Sequence, residues 1–308
     1  MEYPGAVPTN RLEVFMQDTT SITIGLILSI VVCFALPIVP FLIMQGKKQK
    51  IAPAFFTGVL AFSVSQLLIR IPLLSIFGQT PFMQQLSQNI VPYGLFLGIT
   101  AGLFEECARF LFCKLMLKKR RRYVDAIAFG FGHGGIEAII LVGFSLISSL
   151  ILYIAMNNGT LVEMVGENVA ATVAGQLSAL TPVTSILGGV ERIFAVMLHI
   201  GFSAMIFTGF VRNQPGKYLL LAILAHAFVD AFVVIIPSPS FVPMSPLALE
   251  GVVLVFAVLG LLYALRAKKN FPVVELPADG IGVIPAQEAP TEQPANSSEE
   301  FIESSEQQ

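Results

Sequence analysis

The chain has 308 residues, of which 55% are hydrophobic and only 12% charged, with 18 basic against 20 acidic side chains and a mean hydropathy of +0.78. Such a composition argues against a soluble globule, and a formal charge of -2 leaves no basic footprint for DNA or RNA, so no nucleic-acid partner is expected. The three cysteines, Cys33, Cys107 and Cys113, lie in apolar stretches and show neither a disulfide framework nor paired CxxC zinc spacing.

A bilayer core of about 30 Å takes roughly 20 mainly apolar residues per helical crossing. In chain order, the runs that meet this length are 21–44, 53–77, 90–117, 124–155, 183–211, 218–237 and 246–265. The expected fold class is therefore all-α, a polytopic transmembrane helical bundle of about seven membrane spans in the lipid bilayer. Pro37, Pro40 and Pro72 fall inside or near span ends, where a bundle tolerates a kink. Residues 1–20 read as a short extracytoplasmic N-terminal tail. Its Glu2, Glu13 and Asp18 stand where a removable signal would be basic, so the first span is expected to be retained. Residues 21–270 read as the transmembrane domain. Residues 271–308, rich in Pro, Glu, Gln, Ser and Ala, read as a disordered cytoplasmic tail, too polar to offset its chain entropy.

Basic residues set the orientation, because short cytoplasmic loops collect them. Lys47, Lys48 and Lys50 follow the first run, Lys118 to Arg122 the third, Arg212 and Lys217 the fifth, and Arg266, Lys268 and Lys269 the last. The alternation predicts a multi-pass cell-membrane protein with its N-terminus outside and its C-terminus cytoplasmic, and with Glu163 and Glu167 facing out.

Charged groups at bilayer depth are costly, and those that persist usually face a polar interior and serve a function. They are concentrated here. The third run carries Glu105, Glu106 and Arg109; the fourth His133 and Glu137; the fifth Glu191, Arg192 and His199; the sixth His226 and Asp230. All 3 histidines of the chain thus fall near the middle of a predicted span. Residues four apart share a helical face, which pairs Glu105 with Arg109, His133 with Glu137 and His226 with Asp230. Two adjacent carboxylates at low dielectric cannot both ionise cheaply unless Arg109 neutralises one, and such a pair can trade a proton with water while an imidazole or Asp230 orients a carbonyl. One Glu-Arg pair alone would read as a helix fastener; the whole constellation favours chemistry.

Around these groups the sequence is rich in glycine. Gly98 and Gly102 precede the glutamates, and Gly130, Gly132, Gly134 and Gly135 surround His133, which lets backbones approach closely. Gly188-Gly189 suggests an irregular entry into the fifth span, and the isolated Arg70 is expected to snorkel outward. Cys107 lies beside acids that oppose a thiolate, which argues against a cysteine protease. No P-loop, dinucleotide fingerprint or HExxH helix is present.

The paired glutamates with Arg109, then Phe129 to His133, then His226 to Asp230, resemble the motifs of the CAAX-protease and bacteriocin-processing superfamily of glutamic intramembrane proteases. Within it, the sequence is most similar to the YhfC family, through Glu105 to Arg109, His133 to Glu137, Glu191-Arg192 with His199, and His226 with Asp230. The resemblance spans residues 90–237. It implies that Glu105 with His133 activates water and that His226 with Asp230 stabilises the oxyanion. Two departures stand out. This chain reads EExxR where the prenyl endopeptidases read EExxxR, which leaves open whether Glu105 or Glu106 is the base. Asp230 stands at a position usually held by asparagine and, when ionised, cannot donate a hydrogen bond.

The function expected on this footing is an intramembrane endopeptidase that hydrolyses a membrane-associated peptide or protein with a glutamate-activated water. Catalytic candidates are Glu105, Glu106, His133, His226 and Asp230, supported by Arg109, Glu137, Glu191, Arg192 and His199. No metal is favoured; zinc, if used, would fall to His133, His199 and His226. Two rival classes remain: a catalytically silent scaffold, as in the related gamma-secretase subunit with similar histidines, and a transporter or proton-coupled pathway, against which stands the lack of an internal repeat.

Overall fold

The computed structural model describes residues 9–272, with side chains from residue 18 onward. Ten helices follow in order among the described residues, without a strand. They are α1 (Thr9–Gly46), α2 (Ala52–Gly78), α3 (Pro81–Leu86), α4 (Ile90–Met116), α5 (Tyr123–Asn157), α6 (Leu161–Val165), α7 (Glu167–Ser178), α8 (Pro182–Val211), α9 (Pro215–Ile235) and α10 (Pro246–Ala267). Six of them, α1, α2, α5, α8, α9 and α10, are long and apolar enough to cross a membrane. The seventh expected span, α4, is long enough at 27 residues, about 40 Å at 1.5 Å per residue, but is not among those six. The protein is a polytopic helical bundle. Its large apolar side chains face outward as readily as inward, with Leu68 at 70% and Ile76 at 67% exposure, as lipid contact requires.

Helix ends are set locally. Pro182, Pro215 and Pro246 occupy the first turns of α8, α9 and α10, where no intrahelical N–H partner is lost. Asn89 caps α4 by accepting from Val91 N at 3.1 Å, and Ser245 caps α10 by accepting from Ala248 N at 3.2 Å. α1 begins at Thr9, inside the stretch read as a tail, and residues 1–8 lie outside the described residues. Phe271 is 7% exposed and packs on Tyr123, so the bundle runs one residue past the expected boundary; 273–308 lie outside the described residues.

Two of the spans widen into π-helical segments, Ser63–Arg70 in α2 and Ala138–Gly143 in α5. The second begins directly after Glu137, so it rotates the C-terminal half of α5 relative to the half that carries His133. α8 enters without irregularity: it is continuous from Pro182, and Gly189 instead lets the backbone of Ser29 approach to 2.7 Å from where a Cβ would stand.

Close approach explains the glycines. A Cβ on Gly98 would sit 2.5 Å from the carbonyl oxygen of Ala227, which is how α4 and α9 lie against one another. A Cβ on Gly132 would run into Phe55 O, and one on Gly130 would meet Ile200 Cα at 2.6 Å, so α2 and α8 both close on α5 around His133. The basic segments gather at one end of the bundle. Arg120 donates to Lys50 O at 2.9 Å, Arg212 to Asn270 Oδ1 at 2.7 Å, and Lys268 Nζ lies 5.9 Å from the Tyr123 ring centroid.

Candidate active site

Four helices deliver the polar groups to one level. α4 carries Glu105, Glu106 and Arg109, α5 His133 and Glu137, α8 Glu191, Arg192 and His199, and α9 His226 and Asp230. Adjacent positions on a helix point about 100° apart, and here that angle separates two environments. Glu105 turns toward the histidines. Its Oε2 lies 3.1 Å from His133 Nε2, 3.9 Å from His226 Nε2 and 4.0 Å from His199 Nδ1.

Glu106 turns toward α9 and is fully buried. It accepts from Arg109 Nε at 3.0 Å and from His226 Nδ1 at 2.8 Å, so the imidazole presents Nε2 to Glu105. Arg109, also fully buried, donates to Ser203 Oγ at 2.7 Å and to His199 Nδ1 at 3.1 Å. A guanidinium only donates, so His199 Nδ1 accepts, and Nε2 carries the hydrogen given to Glu137 Oε2 at 2.6 Å. The other Glu137 oxygen accepts from Arg192 at 2.8 Å, and Arg192 also pairs with Glu191. A single ladder of alternating donors and acceptors thus runs from α9 through α4 and α8 to α5.

A cavity of about 350 Å³ opens onto this ladder, with Glu105, Glu137, His199, His226 and Asp230 in its wall. Asp230 is half-buried there and lies 3.8 Å from His226 Nε2. His133 does not reach the cavity. It stands behind Glu105 with zero exposure, its ring 5.4 Å from that of Phe62, and its Nδ1 is buried without a partner.

Several pairings differ from those that helical spacing implies. Arg109 takes Glu106 and leaves Glu105, because the shorter turn back brings Nε onto the sealed carboxylate. Glu137 leaves His133 for His199 and Arg192 across the interface with α8. Arg70 does not snorkel outward: it donates to Leu97 O at 2.8 Å, with Gln66 and Thr100 as its other acceptors. Among the described residues, Glu105, His133 and His199 form a group of metal-capable donors, all within 4.8 Å of one another, with His226 outside it. Ser203, which anchors Arg109, went unread in the sequence, although it lies one turn from His199 on the same face. Phe202 also went unread; its ring stacks on His226 at 4.7 Å.

Together, the fold and this site define a multi-pass membrane protein that gathers three imidazoles about one carboxylate, two of them in the wall of an internal cavity and the third behind the carboxylate. The sequence pattern of the family described as YhfC intramembrane metalloprotease matches residues 32–244, and the chain belongs to that family. It is 33% identical over 254 residues to a Bacillus subtilis (strain 168) protein described as "Uncharacterized membrane protein YhfC", an alignment covering 80% of this chain and 96% of that one. No solved structure matches the chain.

Proposed function

We propose that this protein is an intramembrane endopeptidase whose attacking water is held at Glu105. The observation that carries the reading is the contrast between the two glutamates: Glu106 is sealed by Arg109 and His226, whereas Glu105 faces the cavity at the centre of three imidazoles. Glu105 takes a proton from water as the oxygen attacks the carbonyl carbon, and returns it to the leaving amine as the C–N bond breaks. His133 holds Glu105 in place from behind. With Nδ1 donated to Glu106, a protonated His226 offers Nε2–H to the oxyanion, and Asp230 orients that ring.

The family description names a metal, and the donors present fit one. Two imidazoles and a carboxylate make a common catalytic zinc set, and His133 Nε2, Glu105 Oε2 and His199 Nδ1 face each other across 3.1 Å and 4.0 Å. Glu105, His133 and His199 would hold the ion, and Arg109 would have to release His199 Nδ1 to admit it. A zinc ion held there would supply Lewis-acid polarisation and would lower the pKa of a bound water, with Glu105 then a ligand and not the free base. Glu137 accepting from His199 Nε2 and Glu106 accepting from His226 Nδ1 orient their rings with or without it.

Assignment to the wider glutamic superfamily rests on the same residues. The basic end of the bundle is the cytoplasmic one in this reading, with the N-terminus outside. Convergence on a cavity disfavours a silent scaffold. The test is cleavage of membrane-reconstituted peptides by Glu105→Gln protein: no turnover from a folded variant is expected, and full turnover would remove Glu105 as the base.

A further inference from the structure

The cavity that holds Glu105 extends well past the three imidazoles. Along α8 its wall runs from Glu191 to Phe202, and on α10 it includes Glu250. α8 and α10, two spans apart, run in the same direction and cross closely, so that a Cβ on Gly201 would sit 2.8 Å from Gly260 Cα. Ten residues back along each helix stand Glu191 and Glu250, which places these two carboxylates at one level of the cavity. That level is eight residues before His199 on α8, or about 12 Å at 1.5 Å per residue.

Polar groups at this level are not matched to one another. Arg192 is the only lysine or arginine in the cavity wall, and its two terminal nitrogens are taken by Glu137 at 2.8 Å and by Glu191. Glu250 forms no hydrogen bond or ion pair among the described residues, and its Oε2 is enclosed without a partner. Helix capping does not account for it: Ser245 caps α10, and Glu250 lies a turn further in. Arg192 adds an orphan of the opposite kind, since the residue is only 8% exposed and its Nε–H has no acceptor. An enclosed carboxylate oxygen and an enclosed N–H are each costly until a donor and an acceptor reach them.

We infer that Glu250 and Arg192 form a subsite for a lysine or arginine residue of the substrate. The ammonium or guanidinium of that residue donates to Glu250, and a backbone carbonyl beside it accepts from Arg192 Nε–H. An inorganic cation would meet the first need and not the second, whereas a basic residue within a peptide meets both. At about 3.3 Å per extended residue, the 12 Å to His199 puts this residue roughly three or four positions from the attacked carbonyl. The inference rests on the protease reading, because it sets the sequence preference of that same site.

The test uses membrane-reconstituted peptides, identical except for lysine, norleucine or glutamate at successive positions near the cleaved bond, and the unaltered protein. Lysine at one position, about three or four residues from the bond, should raise kcat/KM at least about tenfold over norleucine, and glutamate there should lower it. Glu250→Gln protein should lose the lysine preference, and Glu250→Lys protein should prefer the glutamate peptide, a reversal that damage to the fold would not produce. Equal kcat/KM for the three peptides, or a lysine preference that survives both substitutions, overturns the subsite and leaves the protease intact. Binding to Glu105→Gln protein, read by fluorescence anisotropy of labelled peptides, needs no turnover. There the lysine peptide should bind at least about tenfold more tightly than the norleucine peptide, and adding Glu250→Gln should erase the difference. Such a difference without cleavage by the parent protein removes the hydrolysis and keeps the subsite. Equal binding of the three peptides, or none, overturns it.

Discussion

Replacing Arg109 with methionine offers the sharpest energetic test of the site. Arg109 and Glu106 are both fully buried, with Nε to Oε2 at 3.0 Å, and Arg109 alone ties α4 to Ser203 and His199 on α8. Arg109→Met leaves the Glu106 carboxylate with His226 as its one remaining partner. Breaking a buried pair from one side costs about 3–5 kcal/mol, or two to nearly four decades in the unfolding equilibrium at about 1.4 kcal/mol per decade. Glu106→Gln should cost less, because its amide oxygen still accepts from His226 or Arg109. The double variant carries no stranded charge, so adding Glu106→Gln to Arg109→Met should recover about 1–3 kcal/mol. Unfolding by SDS in mixed micelles, followed by helical circular dichroism, gives all four corners of the cycle. Strict additivity, with the double variant as unstable as the sum of its parents, would refute the reasoning, because it would mean that the two side chains do not neutralise one another.

Zinc held by Glu105, His133 and His199 is the alternative to Glu105 acting as a free base, and metal content decides between them: if zinc is used, purified protein should retain about one ion per chain, and His133→Ala should lower that content while His226→Ala should not. A membrane-permeant chelator should then abolish turnover, with zinc and not calcium restoring it; full activity in metal-free protein would leave Glu105 to act alone. Asp230→Asn should reduce turnover by less than tenfold, since asparagine can orient His226 and also donate; complete loss would assign Asp230 a proton-carrying role. Gly98→Leu should drive α4 from α9, lower the SDS midpoint and cut activity by displacing His226 from Glu106; unchanged behaviour in both assays would mean that the α4–α9 contact does not position the site.

Much of the fold was open to sequence reading because a membrane imposes a length and a polarity that composition alone reports. The runs at 21–44 and 183–211 became α1, which begins earlier, at Thr9, and α8, whose start is set by the Thr181 cap and Pro182. The helix with the glutamates is the exception that the rule contains: α4 is long enough to span but carries the charges the site needs. The histidines and acids were legible as residues out of place. Their partners were not, because offsets of four describe one helix while the site is assembled from four. His133 with Glu137 and Glu105 with Arg109 were the natural intrahelical pairs, yet tertiary packing offered Glu137 two donors on α8 and gave Arg109 the deeper glutamate. Arg70 could be recognised as anomalous in sequence, but the Leu97 carbonyl that holds it inside depends on the α2–α4 crossing.

Adjacent glutamates make sense once their neutralisation is considered together with their exposure. A carboxylate that faces a cavity and must exchange protons cannot also be locked to a guanidinium, and a bundle cannot hold an imidazole in one orientation without a fixed acceptor behind it. Glu106 meets the second need, spending its two oxygens on Arg109 and His226, and thereby removes the cation that would otherwise claim Glu105. The same division recurs on α5 and α8, where Glu137 fixes His199 and is itself fixed by Arg192. Each ring facing Glu105 from the cavity side is thus braced by a carboxylate that is braced by an arginine. Only His133 lacks such a brace, with its Nδ1 unpartnered, and its orientation rests on Phe62 and on the glycine-lined crossings around it. Side-chain substitutions at the acids should therefore disturb His199 and His226 selectively, whereas enlarging Gly132 or Gly130 should act on His133.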